Sequence, residues 1–570
     1  MIWWWQDQQR ARAEKAAFVA LQEEKEWVKE VRTSHLADYQ LCFDVDLMHG
    51  GETFKLAVIY PNTFPDTPPV VMPRDDKRLS YHQYGPGGEL CLQWRPDNWH
   101  PSITGAMMIE SAYGLISGER PTDGEPGTVP SAHHSTFAGE LRFETWRLMV
   151  PEGAWASLQN QLPEVVLQIA VTMTVRRTQR VAHLTSIGAM GSEVWKTPRP
   201  VPDAPGKRLG YILRTGQDVD ALALHRGGYF EDIEDRVPEL ASLLKAREWP
   251  FIVLLEQNGR RTAFDIVRKD GHPFLIPYRI VEEEELSARS ASNRDAVAMN
   301  RVAIVGCGSI GSKIAASLAR AGVRKFVLVD EDIFLTGNMV RNELDAWAIG
   351  WHKVDALADR IGQLATDTDV TLYRMALGSQ TSSLLMDTVL ESIGGADLII
   401  EATAEATSFN LCGGAAKRHL KPMVWAQVYG GGIGGIVARA RPDIDPPPLE
   451  ARSQASKWCY ERETLWEFQS GNSYDADVGE GVTFVADDAD VAVIAAHATR
   501  IALDILQGGD TAFPHSAYMI GLKKAWIFQA PFDTWPIDLT PVGPWQDARS
   551  NSDEADVFAL MADMIDGAPR

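Results

Sequence analysis

Residues 301–330 read RVAIVGCGSIGSKIAASLARAGVRKFVLVD. A short apolar run, Arg301–Val305, enters the turn Gly306-Cys307-Gly308-Ser309-Ile310-Gly311. A helical stretch follows, then a second apolar run that ends at Asp330. Strand, glycine turn, helix and strand in that order make a βαβ unit of a parallel sheet. The glycines allow a tight turn and close approach of backbone to a ligand, and the helix start offers unpaired N–H groups to phosphate. Asp330 lies about 20 residues beyond the glycines, where an acid can hold a ribose hydroxyl. On these residues alone NAD, FAD and ATP all fit.

Downstream stand Asp330-Glu331-Asp332, then Gly337-Asn338 with Arg341-Asn342, then Gly350 with Lys353. This set resembles the ThiF and ubiquitin-activating superfamily, and the resemblance extends over about residues 298–545. It implies ATP held by Gly306, Gly308, Gly311, Asp330 and Asp332, with Asn338, Arg341 and Lys353 around the phosphates. Arg341 and Lys353 would carry catalysis, because cations placed where phosphoryl charge develops lower the barrier.

The family also places an Asp after the next buried strand, where it helps to position magnesium. Here Asp397–Ala402 leads into Thr403-Ala404-Glu405, and Ala404 stands at that position. Glu405 or Glu401 would substitute, since magnesium accepts either carboxylate; Glu405 is taken as the magnesium ligand. The family's catalytic cysteine usually falls in the crossover segment, here 442–484, whose single cysteine is Cys459. Ahead of Gly481-Val482 stand Ser473, Tyr474 and Asp475 instead. A thioester relay at Cys459, direct attack on the acyl-adenylate by Cys91 of the first domain, an oxyester on a hydroxyl such as Ser473, and no relay step are all open.

At the other end of the chain, Tyr39, Leu41, Phe43, Val45 and Leu47 alternate as in a half-buried strand. Phe54, Leu56, Val58 and Tyr60 repeat the pattern after Gly50-Gly51. Helical periodicity covers 8–31 through Phe18, Leu21, Trp27/Val28 and Val31. Then come Tyr60-Pro61-Asn62-Thr63-Phe64-Pro65-Asp66-Thr67-Pro68-Pro69, Gly88-Glu89-Leu90-Cys91-Leu92 and Trp99-His100-Pro101. This succession over residues 5–120 resembles a ubiquitin-conjugating enzyme, and Cys91 matches the thioester cysteine. A thiolate accepts the acyl group, so the thiol must be accessible. Where that family carries His-Pro-Asn, this chain has His82-Gln83-Tyr84. An oxyanion donor would come from Gln83, Tyr84, Asn98 or His100.

The remaining composition bounds the answer. At roughly 150 residues per domain, 570 residues imply three or four domains. A net charge of −22 argues against a nucleic-acid binder, which carries a basic face. The five cysteines are scattered with no C-x-x-C pair, so neither structural zinc nor a disulfide framework is expected, and a cytoplasmic location is. No run approaches the roughly 20 apolar residues of a membrane span. Gly-, Pro- and Ser-rich 118–135 and Ser-rich 286–298 read as linkers. Acidic runs at Glu282–Glu285, Asp487–Asp488 and Asp553–Asp556 read as solvated faces.

The expected architecture is therefore multi-domain, α+β and α/β: a conjugating-like domain at 1–120, a linker and middle α+β domain of unassigned role at 121–297, a Rossmann-like adenylating domain at 298–545, and an acidic tail at 546–570. The middle region shows one clear hairpin, Phe251–Leu255 and Thr262–Val267 around Asn258-Gly259. Both resemblances together imply activation of a ubiquitin-like protein with ATP and Mg2+, transfer to Cys91, and conjugation to a target protein. They imply a homodimer through the adenylating domain and the setting of bacterial conjugation systems, some of which act in anti-phage defence. Two other classes fit part of the chain: a non-catalytic scaffold for a ubiquitin-like partner, and an adenylating enzyme of sulfur-carrier or small-molecule metabolism.

Overall fold

The computed structural model describes residues 2–121, 146–545 and 554–566. Interruptions fall at 37, 76–78, 81, 85–87, 152, 159–165, 198–205, 216–226, 233, 247–249, 258, 283–293, 366, 380–381, 463–474 and 478–482. The chain divides into two compact units, Met1–Phe143 and Glu144–Arg570.

The first unit opens with helices α1 (Trp3–Gln6) and α2 (Gln8–Glu24). Strands β1 (Val28–His35), β2 (Leu41–His49), β3 (Glu52–Ile59) and β4 (Val70–Pro73) follow as an antiparallel meander in that order. A two-strand ladder, β5 (Gln83–Tyr84) with β6 (Glu89–Leu90), precedes helix α3 (Gly105–Glu119). Asp7 caps α2 by accepting the Arg10 N–H at 2.9 Å, a bond that contributes about 1 kcal/mol.

Helical periodicity over 8–31 runs too far. The helix ends at Glu24, and Val28 and Val31 belong to β1, opposite Leu47 and Val45. A three-residue spacing fits both periods over so short a run, and pairing with β2 decides. Glu14 ties the unit together from a fully buried site. One of its oxygens accepts from Tyr60 Oη at 2.5 Å and from Gly105 N at 2.8 Å, while Arg10 pairs with the other at 2.8 Å. A buried carboxylate is tolerated because all of these partners are present.

The middle of the chain is nearly all strand, where a mixed α+β domain was expected. It comprises β7 (Trp146–Val150), β8 (Val166–Arg176), β9 (Gln179–Ile187), β10 (Trp195–Lys196), β11 (Gly206–Arg214), β12 (Gly228–Tyr229), β13 (Phe251–Gln257), β14 (Arg260–Lys269) and β15 (His272–Glu282), with helix α4 (Pro238–Ala246). The order β9-β7-β15-β14-β13-β11-β8 closes when β8 pairs back on β9, giving a seven-stranded barrel. Leu148, Ile169, Val171, Leu184, Ile212, Ile252 and Leu254 fill it. Phe251, Val253, Leu255, Phe264 and Ile266 pack outside with Leu240 and Leu243 of α4. Alternation along each strand sorts the two sets.

The last part begins with α5 (Arg294–Ala298), β16 (Arg301–Val305), α6 (Ser309–Ala321), β17 (Lys325–Val329), α7 (Lys353–Leu364) and β18 (Asp369–Tyr373). It continues with α8 (Ser383–Gly394), β19 (Leu398–Glu401), α9 (Ala406–His419), β20 (Met423–Tyr429), β21 (Gly434–Ala440) and α10 (Pro448–Tyr460). A ladder of β22 (Asp475–Asp477) and β23 (Thr483–Val485) then leads to α11 (Asp488–Gln507), β24 (Ala517–Gly521) and β25 (Thr534–Ile537).

One eight-stranded sheet runs β18-β17-β16-β19-β20-β21-β24-β25, parallel as far as β20 and antiparallel beyond. The inner parallel strands β16, β17 and β19 are buried on both faces, which is why they read as nearly unbroken apolar runs. Ile310, Ile314 and Leu318 of α6 are buried in the same core, each contributing about 1.5–3 kcal/mol relative to exposure. Within the segment read as an acidic tail, residues 554–566 form helix α12, with Val557, Phe558, Leu560, Met561 and Met564 exposed.

Candidate functional site

Strands β16 and β19 are neighbours, and the chain runs on from β16 to β17 on one side but from β19 to β20 on the other, so the connections diverge at their carboxyl ends. Such a switch point opens a crevice. Here the crevice is a cleft of about 430 Å³ lined by Gly306, Gly308, Asp330, Asp332, Asn338, Arg341, Lys353 and Glu405, among others. Of the nucleotide-binding residues expected from sequence, Gly311 alone does not line it. Its part is structural: a Cβ there would meet the Gly306 carbonyl oxygen at 1.8 Å. Gly306 has φ +90°, and a Cβ on it would lie 2.9 Å from the Ala402 carbonyl. Both positions therefore require glycine.

Asp330 closes the floor of the cleft. One carboxylate oxygen accepts from Cys307 N at 2.7 Å and the other from Asp332 N at 2.9 Å. Burial pushes its pKa above the ordinary carboxylate value, and the nearby Lys353 ammonium pulls it back. Each oxygen keeps acceptor capacity for a ligand hydroxyl. Asn338 Oδ1 accepts the Leu335 N–H at 2.8 Å and closes a short 3-10 turn. Arg341 Nη1 donates to the Ala486 carbonyl at 2.9 Å, which fixes the guanidinium against the start of α11. Lys353 is the first residue of α7 and pairs with Asp332 at 2.5 Å.

Sequence reasoning missed Met375, Ala376 and Leu377, which form one wall beyond β18, and Ser408 at the start of α9. Their only signal is position: they follow strands at the same carboxyl edge.

Glu401 and Glu405 part company. Glu401 is buried, and its carboxylate accepts from both Thr403 N (2.8 Å) and the Thr403 hydroxyl. It faces a second, much smaller cavity of about 10 Å³, shared with Ala404, Arg452 and Cys459. Such a space is at the limit for one water. Glu405 lines the main cleft. Magnesium commonly binds one or two carboxylates together with substrate phosphates, so Glu405 beside the cation-lined cleft fits that donor set, and Glu401 does not. Ala404, at φ +62°, lines the small cavity and is not among the residues of the main cleft. Cys459 lies on α10 at 4% exposure, and Cys307 and Cys412 are buried completely. Ser473 and the segment ahead of Gly481 lie outside the described residues.

In the first unit, Leu90 and Leu92 are buried, so alternation turns Cys91 between them the other way, to intermediate exposure. Its N–H donates to the His82 carbonyl at 2.8 Å, extending the β5–β6 ladder. Burial alone raises the thiol's pKa. Trp99 Nε1 donates to the Pro65 carbonyl at 2.7 Å, joining the Trp-x-Pro turn to the proline-rich one. Two of the four suggested oxyanion donors are already committed. Gln83 accepts from Leu79 N and Ser80 N and donates to the Gly88 carbonyl. Asn98 accepts from Arg95 N and donates to the Gln93 carbonyl. His100 pairs through Nδ1 with Ser102 Oγ at 2.8 Å. The side chain of Tyr84 lies outside the described residues.

Residues 284–463 match the ThiF family model, the stretch that supplies the glycine turn, the cations and Glu405. Among individual proteins, the chain is 25% identical over 395 residues to the uncharacterized protein y4qC of Sinorhizobium fredii, covering 63% of this chain and 65% of that one. It is 27% identical over 199 residues to the ATP-dependent ubiquitin transferase-like protein Cap2 of Pseudomonas aeruginosa, covering 34% and 32%. The chain thus spans less than two thirds of these curated relatives. The crystal structure of E. coli MccB with AMPCPP and MccA overlays 44% of this chain and 67% of that one, at TM-score 0.33 and 15% identity.

Proposed function

We propose that this chain uses ATP to adenylate the C-terminal carboxylate of a ubiquitin-like protein and passes the acyl group to Cys91 for conjugation to a target protein. The observation that carries the reading is the convergence of Asn338, Arg341 and Lys353 with Asp330 in one cleft at strand ends, inside the stretch matching the ThiF family. Similarity to a protein named as ubiquitin transferase-like supports the substrate class.

In the first step a carboxylate oxygen of the substrate attacks the α-phosphorus of ATP. The bond from that phosphorus to the bridging oxygen breaks, and pyrophosphate leaves. Arg341 and Lys353 stabilise the charge that gathers on the phosphates, while Asp330 orients the ribose. Magnesium, held through Glu405, would neutralise phosphate charge when bound. In the second step the thiolate of Cys91 attacks the acyl carbon, forms a C–S bond and expels AMP. An amine of the target then attacks the thioester and regenerates the thiol. Covalent linkage of both activities raises their effective concentration. A relay through Cys459 would require α10 to open, because that thiol faces a cavity with room for no more than a water. Direct attack by Cys91 requires no such opening and is the route we favour.

The division into 1–120, 121–297, 298–545 and 546–570 belongs to this reading, as does a cytoplasmic location. Among the described residues no helix is long and apolar enough to cross a membrane. A homodimer through the adenylating part is supported by Leu335, Met339, Val340, Trp347 and Trp351, all exposed within seventeen residues of one another. Such a run of large apolar groups marks an interaction face.

Intact-mass measurement after incubation with magnesium, ATP and a ubiquitin-like protein encoded beside this chain tests the proposal. A thiol-sensitive adduct that Cys91→Ala removes supports it. Neither pyrophosphate release nor an adduct, with several such partners tried, sinks it in favour of a scaffold.

A further inference from the structure

The two ends of the seven-stranded barrel differ in charge. Along β7, β9, β11, β13, β14 and β15 the inward residues continue the core positions Leu148, Ala182, Ile212, Leu254, Ala263 and Tyr278. At one end this parity brings Arg214, Glu256, Arg261 and Glu282 inward. They form two matched pairs, Arg214–Glu256 at 3.0 Å and Arg261–Glu282 at 3.4 Å, and Arg261 stacks on Trp155 at 4.1 Å. Each guanidinium has its own carboxylate.

At the other end the same parity brings Trp146, Arg180, Arg208 and Asp265 inward. Trp146 and Arg180 are direct partners in the β7–β9 register. Arg208 and Arg180 pair with the two oxygens of Asp265 at 2.5 and 3.3 Å, and among the described residues both end on this one carboxylate. Asp265 is fully buried, whereas the arginine side chains are 26% and 28% exposed. Trp146 lies 4.1 Å beneath Arg180 and 5.5 Å from Tyr278. The hydroxyl of Tyr278, a residue only 4% exposed, has no hydrogen bond of acceptable geometry, although Arg180 approaches it.

Two guanidiniums on one carboxylate leave a single positive charge in excess, at a barrel end that keeps N–H edges turned outward. Each arginine has five donors and spends one on Asp265 among the described residues. An orphaned buried hydroxyl has an energetic cost unless something completes it. We propose that the Arg180–Arg208 end of the barrel is a binding site for an organic carboxylate. The carboxylate would be held by the outer edges of the two guanidiniums, completed by the Tyr278 hydroxyl, with the attached group lying against Trp146. Planar, bidentate donors suit a carboxylate, and the indole face suits an apolar or aromatic neighbour. A small-molecule acid and a polypeptide C-terminus present the same chemistry.

Calorimetric titration of the full chain tests the site with four probes: N-benzoylglycine, its amide, a hexapeptide ending in benzoyl-free glycine carboxylate, and inorganic phosphate. The expected result is saturable binding of the acid, with the amide weaker by roughly tenfold or more. A peptide tighter than the small acid identifies a chain terminus as the natural ligand; the reverse identifies a metabolite-sized acid. Tyr278→Phe removes one oxygen and keeps the ring, so it should fold and bind the acid about three- to tenfold more weakly. Arg208→Gln should abolish binding, with thermal melting as the check on folding. Equal binding of acid and amide, displacement of the acid by equimolar phosphate, or unchanged affinity in Tyr278→Phe would overturn the assignment. Pyrophosphate exchange at the cleft is independent of the outcome.

Discussion

Lys353 Nζ stands 2.5 Å from Asp332 Oδ2, and the two side chains differ in exposure, 9% against 62%. The lysine is fixed in the wall of the cleft; the aspartate is the member able to swing out. An arriving phosphate therefore competes with Asp332 for an ammonium already in place. Lys353→Ala should lower ATP–pyrophosphate exchange by about 100-fold, the scale of losing one preorganised charge at a developing anion. Asp332→Asn should leave the exchange rate within a few-fold, because the backbone bonds of residue 332 to Asp330 and Lys353 remain and only the ion pair is lost. A larger loss in Asp332→Asn than in Lys353→Ala would reverse these roles.

Cys91 should be the thiol that reacts first. It alone is partly exposed, while Cys42, Cys307, Cys412 and Cys459 are buried. Burial raises its pKa, so below that pKa the thiolate fraction, and with it iodoacetamide labelling, should rise about tenfold per pH unit. Site-resolved mass spectrometry of native protein at pH 7 and 8 measures this. Comparable labelling of Cys459 would show that α10 opens readily and would revive the relay.

Glu405 and Ala404 make opposite predictions. Glu405→Ala should raise the magnesium concentration for half-maximal exchange, since Glu405 lines the cleft. Ala404→Asp should not lower it. The new carboxylate would enter the small cavity beside buried Glu401 and destabilise the fold by about 1–3 kcal/mol. Denaturant titration and magnesium dependence separate the two effects.

Glu401 gives a pH signature. Burial raises its pKa in the fold, opposed by the two bonds from Thr403. The folded state thus holds that proton more tightly than the unfolded one. Its stabilising contribution is complete below the unfolded pKa, about 4.3, and is lost as pH rises through the raised folded value. Glu401→Gln keeps an acceptor for Thr403 and removes the titration. Relative to the parent, it should be more stable at pH 7 than at pH 4.5, as read from chemical denaturation at both.

Replacing Leu335 and Val340 together by Asp should convert a dimer to a monomer in sedimentation, because both are exposed on the apolar run flanking Asn338. A parent chain that is already monomeric at tens of micromolar, by the same method, removes that face from the proposal.

Much of this was legible in the chain. Arg301–Val305, the glycine turn and Asp330 announce their elements because strands buried on both faces must be apolar throughout and glycine is sterically required at Gly306 and Gly311. Asn338, Arg341 and Lys353 could be named from the resemblance to the ThiF superfamily, and they line one cleft. Other features were hidden for a physical reason. Val28 and Val31 fit a helix until β2 claims them. The barrel depends on β8 meeting β9 and on parallel pairs such as β11 with β13, which no local pattern encodes. Whether Glu401 or Glu405 faces the cleft depends on the turn at Ala404, and Met375–Leu377 carry no chemical mark.

Closure of the barrel has a consequence for how the chain comes apart. Among the described residues the open sheet ends in β18 and β25, each with one unpaired side from which backbone amides can fray. The ring β9-β7-β15-β14-β13-β11-β8 has no such border, so none of its strands can peel away without breaking two neighbours at once. Deuterium should therefore enter β18 and β25 by small local openings, while the ring strands exchange together, on the timescale of a single large opening.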